Sequence, residues 1–359
     1  MSEPKKIGYI RTSDRASFKR CRRKWKWNGS MGSNLQEDYS RGPLWGGTGF
    51  HYALEDYHGY KNHSSASDAF KAYVMATRKA PGQGVPGDFE ELTELFCGML
   101  DYYANDWLGS RDTLQTYWVD GVPQVEVRFL IPIPVPQELL DVAGYEKIYY
   151  QGTIDRVVID EQERLWILDH KTAASMVINH FETDPQITSY CWAAESGLFD
   201  KPIEGFIYQQ YKKAVPEEPE PLKTGKISTA KTLATTHALY KRALINLYGD
   251  PKNAPKVNLD YLNGLAAAET SNEDKFIRRD YIFRSQPQLE SEGARILLEA
   301  QDMIDPNLPI YTNATRDCSW DCAFLNPCVL MDCGDDWKEE LELSTIQRND
   351  LEATWRNYL

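Results

Sequence analysis

The sequence predicts a mixed α/β core that carries its functional residues at strand ends. Three observations point to it. Phe89, Leu92, Phe96, Met99 and Tyr103 recur at helical spacing and mark a long amphipathic helix. The period then switches to two, as Val125, Val127, Phe129 and Ile131 alternate with Glu126, Arg128 and Leu130. Two apolar stretches follow that each deliver a carboxylate, Gly152-Thr-Ile-Asp155 and Leu165-Trp-Ile-Leu-Asp169-His-Lys171.

The elements can be justified in order. Residues 12–27 read as one helix, capped by Thr12 or Ser13, with Phe18, Cys21 and Trp25 on a common face. A Gly-rich turn, Gly46-Gly-Thr-Gly49, precedes a helix over about 50–60. After the helix around 89–103 come the strand at 125–131 and strands near 147–159 and 164–170. Asp184-Pro185 is a cap followed by proline in the first turn, so a helix runs from there to about 197. Ile203 to Tyr211 reads as the next strand. The order of helices, three strands, helix and strand is that of an α/β core. Beyond residue 212, Pro216-Glu-Glu-Pro-Glu-Pro221 is a charged loop, and helices over about 229–248 and 286–304 make 216–305 a helical subdomain. The chain shows no internal repeat and no long low-complexity tract.

Composition narrows the class. At 359 residues the chain can bury one large core or two smaller ones. No run of about twenty apolar residues exists, so no membrane span is expected. Met1-Ser-Glu-Pro-Lys-Lys6 lacks the apolar stretch of a signal peptide, which predicts a reducing, cytoplasmic location. The seven cysteines are then not expected to form disulfides, and Cys97 and Cys191 read as buried apolar residues. A net charge of -13 argues against indiscriminate nucleic-acid binding, but the charge is segregated. Residues 11–26 hold Arg11, Arg15, Lys19, Arg20, Arg22, Arg23, Lys24 and Lys26 against the single acid Asp14. Asp332, Asp335, Asp336, Glu339, Glu340 and Glu342 crowd the other end. A basic N-terminal face interleaved with Trp25 and Trp27 suits phosphate contact and base stacking; a solvated helix face is the competing reading.

Two clusters carry chemistry. Asp155 and Asp169, brought together from neighbouring strands, can hold a divalent metal. Lys171 lies two residues beyond Asp169 and so on the same side of its strand, which puts an ammonium beside the attacking water. That is hydrolytic phosphodiester chemistry in outline, although an acid followed by Asp-x-Lys also describes many surface turns. The second cluster is Cys318-x3-Cys322-x5-Cys328, three thiolates within eleven residues. Zinc sites usually use paired C-x2-C knuckles, whereas iron–sulfur clusters accept varied spacing. Cys333 and Cys21 are both candidates for a fourth ligand.

Together these residues resemble a RecB-type nuclease of the PD-(D/E)XK superfamily, in its iron–sulfur-containing branch. That branch includes CRISPR-adaptation exonucleases, the AddB nuclease domain and phage relatives. The resemblance runs from the N-terminal helix to about residue 212 and resumes at the C-terminal cysteines. Its ordered matches are Thr12-Ser13 leading to Cys21, Gly47-Thr-Gly-Phe-His51, the Asp155/Asp169/Lys171 set, Gln186-Ile-Thr-Ser-Tyr190, and Cys318, Cys322 and Cys328. The first acid follows Ile154 rather than the proline of the superfamily name, and the first cysteine gap is three residues where two is frequent.

The resemblance implies a restriction-endonuclease-like core, a mixed central sheet flanked by helices, at 46–215. Residues 1–45 would supply a basic helix with a cluster cysteine, and 306–359 a C-terminal Fe–S region and acidic tail. Asp155, Asp169, the His170 backbone carbonyl and His51 are then expected to bind Mg2+ or Mn2+. Lys171 would activate or orient water, and Glu126 would orient it or be an ordinary strand glutamate. Cys21, Cys318, Cys322 and Cys328 would hold a structural 4Fe-4S cluster. Gln186, Tyr190, Arg22, Arg23, Lys24 and Trp25 would contact DNA. The implied activity is a metal-dependent deoxyribonuclease, an exonuclease on single-stranded DNA or free ends in replication, recombination or end processing. It would act with a partner protein of one of those processes and without a membrane. The alternatives are a catalytically silent DNA-binding or scaffolding module and a zinc-stabilised endonuclease.

Overall fold

In the computed structural model, residues 5–37, 42–79, 85–270 and 275–348 are described; the first four residues, part of the stretch read above for a leader, lie outside them. A seven-stranded mixed sheet forms the centre. Its axis is the long strand Tyr145–Ile159. Val125–Ile133 pairs antiparallel along one edge of it, followed by Gln115–Thr116. The other edge is shared by two strands in succession. The parallel strand Lys6–Arg11 pairs as far as Gln151, and the antiparallel strand Leu165–Ala173 joins at Arg156. Residues 152–155 therefore lie between two partners, and they are the Gly-Thr-Ile-Asp motif itself. Leu165–Ala173 stays paired in parallel with Ile203–Lys212 to its last residue, and Ile277–Ile282 closes that side antiparallel.

Helices cover both faces, but unequally. Thr12–Arg20, Pro185–Glu195 and Gln286–Ile304 pack on Ile148, Tyr150, Ile154 and Phe129 to make the first core. Gly42–His58, Ala66–Lys79 and Phe89–Tyr102 form the second core on the opposite face, with Tyr211 and Ile277. A smaller cluster around Tyr240, Leu244 and Leu262 joins the helices His237–Tyr248 and Lys256–Thr270.

Several elements differ from the sequence expectation, each for a physical reason. Gly46, Gly47 and Gly49 sit inside the Gly42–His58 helix and not in a turn. A Cβ on Gly46 would come within 2.1 Å of Phe96, and one on Gly49 within 2.5 Å of Tyr73, so these glycines permit close packing. The helix expected over 12–27 is broken at Cys21, whose backbone is extended (φ -161, ψ 115) between Thr12–Arg20 and Arg22–Asn28. The C-terminal segment takes up groups released by the break: Arg23 N–H donates to the Tyr311 carbonyl, and Asn313 Nδ2 to that of Arg20. Neither Thr12 nor Ser13 caps the first helix. Asp14 accepts from the Arg11 backbone N–H, while the Thr12 hydroxyl meets Tyr150. The later helix begins at His237, where the Thr236 side chain accepts from Leu239 N–H. The strands Lys6–Arg11 and Ile277–Ile282 were not anticipated. Within Ile277–Ile282, Arg279 is buried in an ion pair with Asp112 at 2.6 Å.

The chain ends meet. Leu35–Glu37 pairs antiparallel with Thr345–Gln347, and Trp27 packs on Phe324 and Trp337. Arg15, 2% exposed, pins the first helix to the sheet's helical cover through Glu292 (2.7 Å) and Glu299. Removing one member of a buried ion cluster strands the opposite charges. Arg15→Leu should therefore destabilise the fold by about 3–5 kcal/mol in urea denaturation. A loss below about 1 kcal/mol would show that the two glutamates tolerate its absence.

Candidate metal centre

The centre is built where Leu165–Ala173 parts from Tyr145–Ile159. Their last ladder pair is Arg156 with Leu168, and the same register sets Asp155 opposite Asp169. The freed N–H of His170 donates to Asp155 Oδ2 at 2.7 Å, so a carboxylate replaces the strand partner. On the other edge of the long strand, the register of Val125 with Arg156 and Val127 with Ile154 puts Glu126 opposite Asp155. Glu126 has φ +47, a backbone region that non-glycine residues rarely occupy and that recurs at functional sites. Gly152 is needed for closeness. A Cβ there would lie 2.5 Å from Phe129 and 3.3 Å from Tyr190.

His51 reaches this point from the Gly42–His58 helix. Its Nδ1 is 3.3 Å from Asp155 Oδ2 and 3.9 Å from Glu126 Oε1. Donor atoms of His51, Glu126 and Asp155 all lie within 4.8 Å of one another, and no other trio of His, Cys, Asp or Glu does so among the described residues. Asp169 stands beside this trio. Its Oδ1 accepts from Lys171 Nζ at 2.9 Å, while Oδ2, equally close to that nitrogen, is buried without a hydrogen bond.

The electrostatics call for a cation. Burial would depress the His51 imidazole, yet Asp155 and then Glu126 outweigh it and raise it to about 10. Burial would raise Asp155, but His51 and Lys171 hold it well below the usual carboxylate range. Glu126 is pushed up by burial and by the Asp155 charge. Burial, with repulsion from Asp155, lifts Asp169 to about 6 against the pull of Lys171. Lys171 would be lowered by burial, but Asp169 and Asp155 keep it firmly protonated. Convergent carboxylates, an imidazole and an orphaned carboxylate oxygen are a donor set that fits a divalent metal.

A buried polar chain braces the centre from behind. The His170 ring, 2% exposed, bonds Tyr211 Oη through Nδ1 at 2.9 Å and stacks on His58. Tyr211 meets Gln209, whose Oε1 accepts from Arg279 at 2.7 Å. Burial pushes both imidazoles below their ordinary value, which keeps them neutral. Their structural role agrees with the absence of a ligand pattern around them in the sequence.

The remaining expected residues divide. Tyr190 is 7% exposed, edge-on to Phe129, and burial followed by nearby Tyr150, Asp169 and Asp155 pushes its hydroxyl up to about 12. Gln186 lies half-buried one turn earlier, with its backbone N–H on the Asp184 cap. Tyr208, missed in the sequence, pairs in register with Asp169, and burial lifts it to about 12 with Lys171 opposing. Its only sequence signal is a polar ring inside an apolar strand. Trp25 does not fit base stacking. It is 3% exposed and packs edge-on against Phe18, and Trp27 is core as well. Arg22 lies over Phe18 and Tyr311, and Arg23 pairs with Asp332 at 2.7 Å. Part of the basic N-terminal face is thus spent on the acidic C-terminus, as Arg20 with Asp321 also shows. Lys24 is half-buried.

The cysteines gather at the broken helix. Cys322 feels the charges of Cys318 and Cys21, Cys328 feels that of Cys21, and Arg23 Nη1 lies 3.4 Å from Cys328 Sγ. Cys333 is exposed.

Comparison with known proteins fits this geometry. A family profile described as the PD-(D/E)XK nuclease superfamily matches residues 12–329. The chain belongs to the PD-(D/E)XK nuclease superfamily. Nucleases of this superfamily use divalent metals, and the carboxylate–histidine site is in place here. No curated protein matches. The solved structure "Crystal structure of SSO0001" aligns over 59% of this chain and 64% of its own length, at 13% identity and a TM-score of 0.25; it carries no argument. No described helix is long and apolar enough to cross a membrane.

Two outcomes test the site as a structure. Gly152→Ala should cost about 1–3 kcal/mol of stability through overpacking against Phe129, measured by urea denaturation. Mn2+ at a hundredfold excess over its dissociation constant should stabilise the protein by about 2.7 kcal/mol in thermal denaturation, and His51→Ala should reduce that gain. An unchanged gain in His51→Ala would remove the imidazole from the donor set.

Proposed function

We propose that this chain is a RecB-type, metal-dependent deoxyribonuclease that acts as an exonuclease on single-stranded DNA or free ends. The observation that carries the reading is the convergence of His51, Glu126 and Asp155 beside the Asp169–Lys171 pair in the opening between two strands. Mg2+ or Mn2+, when bound, supplies Lewis acidity and lowers the pKa of water.

The residues around it have separable tasks. His51, Asp155 and Glu126 would hold the ion, with Asp169 Oδ2 and the His170 carbonyl as further oxygens. Glu126 thereby moves from orienting water to ligation. The His170 N–H fixes the rotamer of Asp155, which keeps one carboxylate oxygen directed at the centre. The Lys171 ammonium, paired with Asp169, would orient the attacking water and offset charge growing on the phosphate. Tyr190 and Tyr208 flank Lys171 and limit its motion, while Gln186 and Lys24 are proposed DNA contacts. Roles in replication, recombination or end processing, with a partner protein, suit this chemistry. A silent scaffolding module is disfavoured because the acid, lysine and histidine groups are all present together.

We further propose that Cys21, Cys318, Cys322 and Cys328 hold a structural 4Fe-4S cluster. The support is the gathering of these cysteines at the broken helix, with a spacing that lacks the paired C-x2-C knuckles usual for zinc. Both chain ends would then be tied by metal–thiolate bonds that close a very long loop.

Lys171→Ala should lower cleavage of labelled linear DNA by at least about a hundredfold in Mg2+ or Mn2+ while DNA binding persists. Retained cleavage would sink the mechanism. Anaerobically purified protein should contain iron and sulfide, and Cys322→Ala should lose both. A colourless protein containing zinc that cuts closed circular DNA would favour the endonuclease instead.

A further inference from the structure

Among the described residues, no helix covers the outer side of one half of the central sheet. Along Tyr145–Ile159, Ile148, Tyr150 and Ile154 face the first core, while Lys147, Tyr149, Gln151 and Thr153 alternate to the other side. On Val125–Ile133 the outward residues are Arg128, Leu130 and Pro132, and on Lys6–Arg11 they are Ile7 and Tyr9. Register arranges them in rows: Arg128 beside Thr153, Leu130 beside Gln151, then Pro132, Tyr149 and Tyr9 side by side, and Lys147 beside Ile7. Leu130 is 54% exposed, Ile7 47% and Tyr9 38%, and the rings of Tyr9 and Tyr149 stack at 6.1 Å. Single exposed apolar residues are ordinary, but a contiguous set on a sheet face marks an interaction surface.

We infer that this open sheet face is the track for a single strand of DNA, stacking its bases on Tyr149 and Tyr9 and leading its backbone past Arg128 to the metal centre. The inference rests on the nuclease reading and names its substrate. Three features favour a nucleic-acid strand as occupant. The first is continuity. The strand that lays out the track carries Asp155 two residues beyond Thr153, and Arg128 lies two residues beyond Glu126. His51 arrives from the helices that cover the rest of this same side. The second is charge. Arg128 and Lys147 are exposed on this face and make no ion pair among the described residues, unlike Arg20 and Arg23 of the basic N-terminal segment. In a chain of net charge -13, two such cations on one sheet face, Arg128 near the metal centre and Lys147 at the far end of the track, concentrate phosphate attraction along it. The third is shape. From Asp155 to Tyr149 the strand runs about 20 Å, room for about six stacked nucleotides at about 3.4 Å each. A flat three-stranded face receives one strand with its bases splayed against rings, whereas a duplex hides its base faces.

The test is fluorescence anisotropy of labelled oligo-dT of three, six and twelve nucleotides and of a blunt duplex, with the full-length protein in metal-free buffer so that no cleavage intervenes. Affinity should rise up to about six nucleotides and exceed duplex affinity at least about tenfold. Tyr149→Ala should weaken oligo-dT binding about 5- to 100-fold at any salt concentration. Arg128→Ala should weaken it at low salt and converge with wild type at high salt. Photocrosslinking through 5-iodouracil should label Tyr149 or Tyr9. A protein that fails to cut DNA in Mg2+ or Mn2+ but shows these binding losses supports the track and removes the nuclease reading. One that cuts DNA while both variants bind as tightly as wild type overturns the track. So does duplex binding equal to single-strand binding, or a change of oligomeric state in the variants in place of lost affinity, which would assign the face to a second copy of the chain.

Discussion

The parting of two strands at Leu168 is the constraint on which the functional end of this protein depends. A strand edge that loses its partner exposes backbone groups that must find other bonds. Here the His170 N–H finds the Asp155 side chain, and that one bond fixes a carboxylate of the candidate metal centre. The long strand makes the opening possible because two different partners occupy the same edge in turn and leave residues 152–155 between them. Gly152 lets the strand pass under Phe129 and Tyr190, and Asp155 ends the gap.

The opening stays in register because its walls are rigid. Behind it, His170, Tyr211, Gln209, Arg279 and Asp112 form a buried hydrogen-bonded chain that crosses three strands. In a low-dielectric interior such a chain holds its members in one arrangement, since any break leaves a polar group unsatisfied. In front, Asp169 and Lys171 neutralise each other at 2.9 Å. The site therefore combines a fixed back with a front of paired charges.

Segments near the two ends of the described chain pack on each other. The cationic N-terminal helices and the acidic C-terminal helices pair through Arg20 with Asp321 and Arg23 with Asp332, with Trp27, Phe324 and Trp337 packed beneath. A charge pattern that suggested nucleic-acid binding in one dimension is in part internal ion pairing in three. Arg128 and Lys147, exposed and outside any ion pair among the described residues, lie instead on the open sheet face.

The sequence by itself determined the α/β class, the long amphipathic helices, the paired Asp155 and Asp169 strands and the helix starting at Asp184-Pro185. Each of these is written in a local period, cap or motif. It also named Lys171 through its spacing from Asp169, and His51 through the family resemblance. Tertiary structure decided everything that depends on register and on who packs against whom. The strands Lys6–Arg11 and Ile277–Ile282 were hidden because both are short and the second carries Arg279, whose charge is met only by distant Asp112. Gly46 and Gly49 read as a turn because nothing local announces that Phe96 and Tyr73 press on them. Trp25 read as a base-stacking ring because its burial is set by Phe18 within a broken helix. Glu126 sits against Asp155 through strand register and an unusual φ, and neither leaves a trace in composition or period.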